Sequence, residues 1–252
     1  MMKHWYVGLA LATVCLVPGT VTGQTFKYFG PDGPSFWGTM SPDWVACGTG
    51  TIQSPVDFAK LAPHHPRWRQ LEIDYDANSV GEIFNNGHTI EIETEGVNTL
   101  TLDGVVYELK QFHFHTGSEH RMDGRGYDME LHLVHAAADG SNAVIGVFLK
   151  RGPSSGALAP IFEALPDDLN VHRQLDAPFS AEAFLPQSRD HYRYVGSLTT
   201  PPCTEGVQWV IMSEPVTVSD EDIAQFAERI HFNARPVQRR ARPAHAEPPD
   251  PR

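Results

Sequence analysis

The chain has 252 residues, 41% of them hydrophobic and 10% aromatic, which is enough to bury one sizeable core in a single domain. A formal net charge of −12 argues against a nucleic-acid partner, because a protein that binds the phosphate backbone presents a basic patch or stripe. No self-similarity at a fixed period is visible, so the sequence does not indicate a repeat array.

The first 23 residues have the pattern of a secretory signal peptide. Lys3 and His4 form a short polar start, residues 7–17 are an apolar run, and small residues follow Pro18. The apolar run is too short to span a bilayer, so the sequence predicts a cleaved signal rather than a membrane helix. We therefore expect an exported protein, periplasmic or secreted, with no membrane span.

The cysteines are consistent with export. Of the three, Cys15 lies in the predicted signal peptide, which leaves Cys47 and Cys203 in the mature chain. Two remaining cysteines in an oxidising compartment favour one disulfide bond. A pair of buried free thiols is the alternative that the sequence leaves open.

Short β-branched runs separated by turn residues dominate the chain from residue 71 onward. Before them, residues 24–66 are rich in Gly, Pro, Trp and Ser, and we interpret this segment as an ordered aromatic arm packed on the core. The runs predict strands at 71–75, 80–84, 88–93, 98–102, 105–115, 129–137, 143–150, 191–196 and 207–212. Asn85, Asn86 and Gly87 have the turn chemistry of a hairpin between the second and third of these strands.

Helices are few in the predicted fold. Residues 157–165 predict a short one, and residues 220–230 predict a longer one with Ser219 as its N-cap. Residues 239–252 are Pro-rich and charged, which is typical of a disordered tail. The sequence therefore predicts a single domain over residues 24–238. It is mainly β with a few short helices, around a large twisted, mostly antiparallel central sheet.

Two histidines lie close together in the predicted strand 105–115. Side chains alternate between the two faces of a strand, so Gln111, His113 and His115 share one face while the intervening phenylalanines share the other. Two imidazoles on one face can converge on a metal, but a metal site needs a third ligand.

A third imidazole is available in the predicted strand 129–137. His132 shares a face with Glu130 and Val134, and in an antiparallel pair of strands it can lie opposite the first two histidines. Three neutral histidines with one open position suit catalytic zinc, whereas structural zinc sites are usually closed by four protein ligands. Gln111 and Glu130 each lie two residues before a histidine, on the face where they can hold its other ring nitrogen.

Four motifs together resemble the alpha-class carbonic anhydrases: FHFH at 112–115, SEH at 118–120, ELHLVH at 130–135 and GSLTTPPCTEGVQW at 196–209. Supporting matches are QSPVD at 53–57, NNGH at 85–88, AVIGVFLK at 143–150 and NARPVQ at 233–238. The resemblance runs from about Tyr28 to Gln238, nearly the whole mature chain. With its cysteine pair and a short loop after the second histidine, the chain is similar to the exported bacterial type.

The resemblance implies a carbonate dehydratase, which hydrates CO2 reversibly to bicarbonate and a proton by attack of zinc-bound hydroxide. It implies a Zn²⁺ cofactor whose ligands are the three histidines, His113, His115 and His132, with the neighbouring Gln and Glu orienting them. It also implies that ionised Glu119 accepts the hydroxyl proton of Thr199. That proton is the only one the threonine hydroxyl has, so its lone pairs are left to accept a hydrogen bond from the hydroxide.

The resemblance further implies an apolar wall for CO2, formed by Val134, Val144, Leu198, Val207 and Trp209, with Thr200 lining the same cavity. It assigns His88 of the NNGH motif as the proton shuttle, for which an ordinary histidine pKa near 6.5 is suitable. From the residues alone, a hairpin-end histidine with no role is the stronger interpretation. The family resemblance suggests a monomer or a homodimer with a small-molecule substrate.

The sequence departs from the family pattern at two places, and it is compatible with two other functions. The family usually ends with a strand after the RPVQ motif, and the Pro-rich tail here leaves its presence open. Thr116 and Gly117 also differ from the residues that commonly follow the second histidine. A non-catalytic zinc-binding or adhesion module would share the fold, although no zinc histidine is lost, and a zinc esterase would share the nucleophile.

Overall fold

The structure, a computed structural model, describes residues 25–58 and 71–239. The predicted signal peptide lies outside the described residues, and so does the predicted tail apart from residue 239. Thirteen strands are assigned within the described ranges: β1 Asp57–Phe58, β2 Leu71–Asp74, β3 Val80–Asn85, β4 Ile90–Glu95, β5 Thr99–Leu102, β6 Val105–Thr116, β7 Arg121–Met122, β8 Met129–Ala137, β9 Asn142–Arg151, β10 Arg173–Gln174, β11 His191–Ser197, β12 Glu205–Met212 and β13 Val216–Val218.

Four short α-helices accompany the strands: α1 Trp37–Met40, α2 Ala46–Thr49, α3 Ala159–Glu163 and α4 Asp220–Ile230. Single 3₁₀ turns are found at Gly30–Asp32, Pro42–Trp44 and Ala181–Phe184. The predicted longer helix is confirmed at α4, where Ser219 and Asp222 form a reciprocal capping box. Helix α3 is shorter than predicted at both ends, and Pro166 follows its C-terminal side, where a proline disfavours helical backbone in the preceding residue.

An eleven-stranded sheet organises the described part of the chain. Its main path runs β10-β3-β4-β6-β8-β9-β12-β11, with β5 beside β6, β2 beside β5, and β13 beside β9. All neighbours are antiparallel except β9 with β12 and β9 with β13. The predicted large and mostly antiparallel sheet is therefore confirmed, as is the predicted hairpin of β3 and β4, with Asn85 opposite Ile90.

The larger core lies on one face of the sheet. Phe112 and Phe114 from β6 pack there with Leu131 and Leu133 from β8, and α4 covers this face. Each fully buried side chain of this kind contributes about 1.5–3 kcal/mol. Because these residues occupy one face, the alternate residues of β6 and β8 must point to the other face, where the candidate site lies.

Aromatic side chains in the described part of the N-terminal arm form a small cluster of their own, separate from the larger core. Trp37 is fully buried and donates from its indole nitrogen to the carbonyl oxygens of Lys27 and Asp32. Cys47 and Cys203 lie in the same cluster and form the expected disulfide, with a Cα–Cα distance of 5.0 Å. The arm is therefore covalently joined to the loop between β11 and β12.

Candidate metal centre

The central strands bring the three predicted histidines together. In the β6–β8 register His113 lies directly opposite His132, and His115 lies opposite Glu130. One ring nitrogen from each of His113, His115 and His132 lies within 4.8 Å of the others. The predicted convergence of the three imidazoles is confirmed.

Each of the three rings is held from behind by an oxygen acceptor. His113 Nδ1 donates to Gln111 Oε1 at 2.8 Å, and His132 Nε2 donates to Glu130 Oε1 at 2.8 Å, as their spacing predicted. His115 Nδ1 donates to the backbone carbonyl oxygen of Asn233, also at 2.8 Å. An oxygen acceptor requires a proton on the nitrogen that faces it, so these contacts assign the tautomers and leave the other nitrogen of each ring with a lone pair.

The inward nitrogens fit a cation. His115 Nε2 and His132 Nδ1 face each other at 3.1 Å, and both carry lone pairs when the outer nitrogens hold the protons. Burial, together with the neighbouring imidazoles, lowers the pKa of His113 well below its usual value, and burial lowers the pKa of His115. Burial therefore favours the neutral form of His113 and His115, which is the protonation state that a metal requires.

Glu130 is the hub of a buried hydrogen-bond chain. Its Oε1 accepts from both His132 Nε2 and His120 Nδ1, and its Oε2 accepts from the His120 backbone N–H. His120 Nε2 contacts the Tyr194 hydroxyl at 2.6 Å, and that hydroxyl contacts Ser54 Oγ at 2.8 Å. Burial alone would raise the pKa of the Glu130 carboxyl, but the two imidazoles hold it well below its usual value. Glu130 is therefore an ionised acceptor, and His120 links it to Tyr194.

Glu119 and Thr199, which the resemblance pairs, are both buried. Glu119 is buried, with Oε1 accepting from the Arg235 backbone N–H at 2.8 Å and lying 3.7 Å from His115 Nδ1. Its Oε2 is buried and has no hydrogen-bond partner within the described part of the chain. Thr199 is buried, and the hydrogen bond between its hydroxyl and Glu119 that the resemblance implies is not formed in the structure.

Apolar side chains wall the metal face next to the histidines. Trp209 lies with its ring centre 4.9 Å from that of His132, and its indole N–H donates to the Ser197 carbonyl oxygen. Val144 lies opposite both Val134 and Trp209 in the strand registers. The predicted wall residues that share this cluster are Val134, Val144, Leu198, Val207 and Trp209. Thr200 adjoins them at the base of the β11–β12 loop.

His88 lies at the end of the β3–β4 hairpin, half-buried. Its ring stacks on Phe26 with 3.9 Å between ring centres and 7° between ring planes. This burial lowers the pKa of His88 from its usual value. The hairpin backbone is tied toward the metal centre, because Asn233 Nδ2 donates to the His88 carbonyl oxygen.

Sequence reasoning missed several residues that build the centre. Asn233 holds His115 and Arg235 holds Glu119, although both belong to the NARPVQ motif. Tyr194 extends the Glu130 chain, and Phe26 lies under His88. The motif matches were the available signal for the first two. His135 faces away from the three histidines of the centre: it is buried and bonded to Tyr75, and burial lowers its pKa to about 4.

No helix in the described ranges is both long and apolar enough to cross a membrane.

Comparison with known proteins adds independent evidence. A family model described as eukaryotic-type carbonic anhydrase matches residues 32–247. A carbonic anhydrase of Pectobacterium atrosepticum is 39% identical over 240 residues, covering 94% of this chain and 96% of its own. The structure of alpha-carbonic anhydrase from Thermovibrio ammonificans with the inhibitor sulfanilamide has a TM-score of 0.82 at 39% identity, covering 86% of this chain and 96% of that one. Dioscorin complexed with ascorbate has a TM-score of 0.77 at 31% identity, covering 85% and 94%.

Proposed function

The chain belongs to the eukaryotic-type, or alpha, carbonic anhydrase family, and on this basis we propose that it is a zinc enzyme that hydrates carbon dioxide reversibly to bicarbonate and a proton. The observation that carries the proposal is the facing pair of lone-pair nitrogens on His115 and His132, 3.1 Å apart and each fixed from behind. Two such nitrogens repel each other unless a cation lies between them, so the arrangement favours a metal site over a structural histidine cluster.

His113, His115 and His132 would hold the zinc ion. Three imidazole nitrogens with one open position are the donor set of a catalytic rather than a structural zinc site. When bound, zinc supplies the Lewis acidity that makes water a nucleophile at neutral pH, and carbonic anhydrase is the standard example of this effect. Gln111, Glu130 and the Asn233 carbonyl fix the rotation of each ring, so the three nitrogens stay aimed at one point.

Thr199 and Glu119 would orient the nucleophile. Glu119 Oε2 is a buried acceptor with no partner in the described structure, and such an atom costs about 1–3 kcal/mol when it stays unpaired. The Thr199 hydroxyl is the donor that we propose for it. A threonine hydroxyl that donates its one hydrogen bond to Glu119 has only lone pairs left for the reacting oxygen. It therefore accepts a hydrogen bond from that oxygen and fixes its orientation.

The apolar wall would bind the substrate. Carbon dioxide has no net charge or dipole, so the side chains of Val134, Val144 and Trp209 can admit it without hydrogen bonds. A wall of this kind also excludes ordered water from the side where the carbon atom approaches. Bicarbonate is charged and poorly solvated beside such a wall, which favours its release.

His88 would carry the product proton to the solvent. Hydroxide is present at about 10⁻⁷ M at neutral pH, so even near the diffusion limit of ~10¹⁰ M⁻¹s⁻¹ it could remove protons at only about 10³ s⁻¹. A faster enzyme needs a relay to a more concentrated buffer, and an imidazole can serve near neutral pH. The half-buried ring of His88, on a hairpin bonded to Asn233, supports this assignment.

Export completes the proposal. The apolar run at residues 7–17 would direct the chain out of the cytoplasm, where the Cys47–Cys203 bond could form and persist. The mature enzyme would be periplasmic or secreted, as a monomer or a homodimer. Intact mass of the protein recovered outside the cytoplasm would test the cleavage, and size-exclusion chromatography with light scattering would determine its oligomeric state.

Stopped-flow measurement of CO2 hydration, before and after removal of zinc by a chelator, tests the proposed function. We expect rapid hydration that the chelator abolishes and added zinc restores. Zinc binding without CO2 hydration would indicate a non-catalytic module. The similarity of the fold to that of dioscorin, which is not named as a carbonic anhydrase, is the reason to test this alternative. Hydrolysis of small esters without CO2 hydration would indicate an esterase.

A further inference from the structure

Gln53, in the QSPVD motif, has no part in the proposed chemistry, yet it is buried at a junction of three segments. Its Nε2 donates to the Cys203 carbonyl oxygen at 3.0 Å and to Glu205 Oε1 at 3.1 Å. Its Oε1 accepts from Arg235 Nη1 at 2.9 Å. Because a guanidinium can only donate and a carbonyl oxygen can only accept, these partners allow the amide one orientation.

One side of this junction is the loop that carries Thr199. The loop leaves β11 at Ser197 and turns through a hydrogen bond from the Cys203 backbone N–H to the Thr200 carbonyl oxygen. Cys203 has a φ of +58°, a left-handed conformation that an L-residue holds only when its surroundings require it. Gln53 holds the carbonyl oxygen of that same residue, so its amide fixes the far end of the turn that begins at Thr200.

The other side of the junction is Glu119. The Arg235 backbone N–H donates to Glu119 Oε1 at 2.8 Å, which fixes one of the two carboxylate oxygens. The Arg235 guanidinium donates to the carbonyl oxygens of Ser54 and Cys47 as well as to Gln53, and it is nearly fully buried. A shift of Gln53 would therefore be felt by the residue that determines where Glu119 lies.

We propose that Gln53 is a positioning residue, which sets the distance between Thr199 and Glu119 by bonding at once to the Cys203 end of the Thr199 loop and to Arg235. The inference depends on the proposed function, in which the Thr199 hydroxyl donates a hydrogen bond to Glu119. A donor and acceptor must approach within about 3 Å to share a proton, and a displacement of 1 Å at a reacting group can cost about 100-fold in rate. Because one amide bonds to both sides of the junction, it would keep Thr199 and Glu119 at a fixed distance from each other.

Gln53→Met tests the proposal, because the methionine side chain has a similar length and cannot replace the amide hydrogen bonds to Cys203, Glu205 and Arg235. Zinc content, thermal midpoint and kcat/KM for CO2 are measured for this variant, for Thr199→Ala and for the double variant. If Gln53 acts through Thr199, we expect kcat/KM to fall about 10-fold or more with zinc retained. In the Thr199→Ala background the same change should alter kcat/KM by less than about twofold, since the contact it positions is already gone.

A destabilisation control separates positioning from general loss of stability. Asn98 is fully buried immediately before β5 and accepts from the Asp76 backbone N–H and the Ser79 hydroxyl. Asn98→Leu should therefore lower the thermal midpoint while leaving kcat/KM unchanged. Should Gln53→Met not fold, Gly50→Ala takes its place, because a methyl group there would overlap both Gln53 Nε2 and Glu205 Oε1.

Three results would each overturn the proposal while the wild-type protein hydrates CO2. The first is an unchanged kcat/KM in the Gln53 variant, the second is an equal loss of kcat/KM with and without Thr199, and the third is a loss that follows zinc content. A wild-type protein that binds zinc but does not hydrate CO2 would overturn the proposed function itself, and this inference with it.

Discussion

Replacing Gly146 with alanine would place a methyl group against the carboxylate that orients His132. Gly146 lies on β9 directly opposite His132 on β8, and opposite Ile211 on β12. A Cβ atom added there would lie 3.1 Å from Glu130 Oε1, 3.8 Å from His132 Cδ2 and 2.6 Å from Ile211 Cδ1. The first two contacts are with residues of the candidate metal centre, while the third is with a side chain of the apolar cluster beside it.

The two kinds of contact predict two separable effects. The 2.6 Å approach to Ile211 is overpacking, which typically costs about 1–3 kcal/mol of unfolding free energy. The approach to Glu130 Oε1 must displace an oxygen that holds both His132 and His120. Loss of such a supporting contact typically weakens metal binding about 10- to 100-fold. We therefore expect Gly146→Ala to lose both stability and zinc affinity.

Zinc dissociation constants from competition with a chelator, and thermal unfolding of the zinc-free protein, measure the two effects. The matched control is Gly156→Ala, since nothing lies within 4 Å of a Cβ atom at that position. Adding Ile211→Val removes the Cδ1 atom, so the double variant should recover stability but keep its weakened zinc binding. A zinc affinity within twofold of wild type in Gly146→Ala would show that Glu130 can move aside without releasing His132, and the reasoning would be wrong.

Three further predictions concern the metal, the gate and the disulfide. His132→Ala should lose most of its zinc and nearly all CO2 hydration by metal analysis and stopped flow, whereas His135→Ala, altered on the opposite face, should keep both. Thr199→Ala should retain zinc and lose about 10²–10³ in rate, the usual cost of one oriented polar contact, and unchanged turnover would leave Thr199 a structural role only. The double variant Cys47→Ser, Cys203→Ser should lower the unfolding free energy by at most about 5 kcal/mol in denaturant titrations, because the disulfide joins residues 156 positions apart. An unchanged unfolding free energy would contradict the view that the disulfide stabilises the protein by restricting the unfolded chain.

The convergence of the three histidines could be predicted because its signal is local. A strand alternates its faces with a period of two, so the spacing of His113 and His115 was enough to place them together, and a pairing of strands was enough to bring in His132. The same reasoning correctly selected Gln111 and Glu130 as the groups behind the rings. Each of these inferences uses residues within one strand or one pair of neighbours.

The register of β6 was beyond such reasoning. Tyr107 and Leu109 face the larger core together with Phe112 and Phe114, which a strict alternation along the strand forbids. The β6–β8 register shifts between Leu109 and Gln111, and this irregularity reverses the parity. Without it, either the phenylalanines or the first half of the strand would face the wrong side. No turn residue or glycine in the sequence marks the position.

Long-range partners were also out of reach. The oxygen that holds His115 is the backbone carbonyl of Asn233, which lies 118 residues away. Every residue has a carbonyl, so side-chain identity carries no information about which one is used. Arg235 and Gln53 are similar cases. Arg235 donates to Glu119 from its own backbone N–H, and Gln53 donates to the backbone carbonyl of Cys203, so in each pair one partner is a backbone group that only the complete fold brings near.

Phe26 provides a test of what controls the proton relay. Its ring covers one face of His88 at 3.9 Å, and two opposed effects follow from that contact. Excluding water disfavours the charged imidazolium and lowers the pKa. The attraction between a cation and an aromatic face, worth about 0.5–1 kcal/mol at exposed sites, stabilises the charged form and raises the pKa. Burial lowers the pKa of His88, and we therefore expect desolvation to be the larger of the two effects.

Phe26→Ala should therefore move the His88 titration midpoint to higher pH, because water replaces the ring and stabilises the imidazolium. An NMR titration, with the resonance assigned by its absence in His88→Ala, measures the shift. The matched control is Phe84→Ala, which removes the phenylalanine stacked on His172 at 4.0 Å and should leave His88 unchanged. In dilute buffer, the pH at which kcat reaches half its limiting value should rise with the midpoint, while kcat/KM stays constant because CO2 attack precedes proton release. A midpoint that falls on removal of Phe26 would mean that the aromatic face stabilises the charged ring, and desolvation would be the wrong explanation.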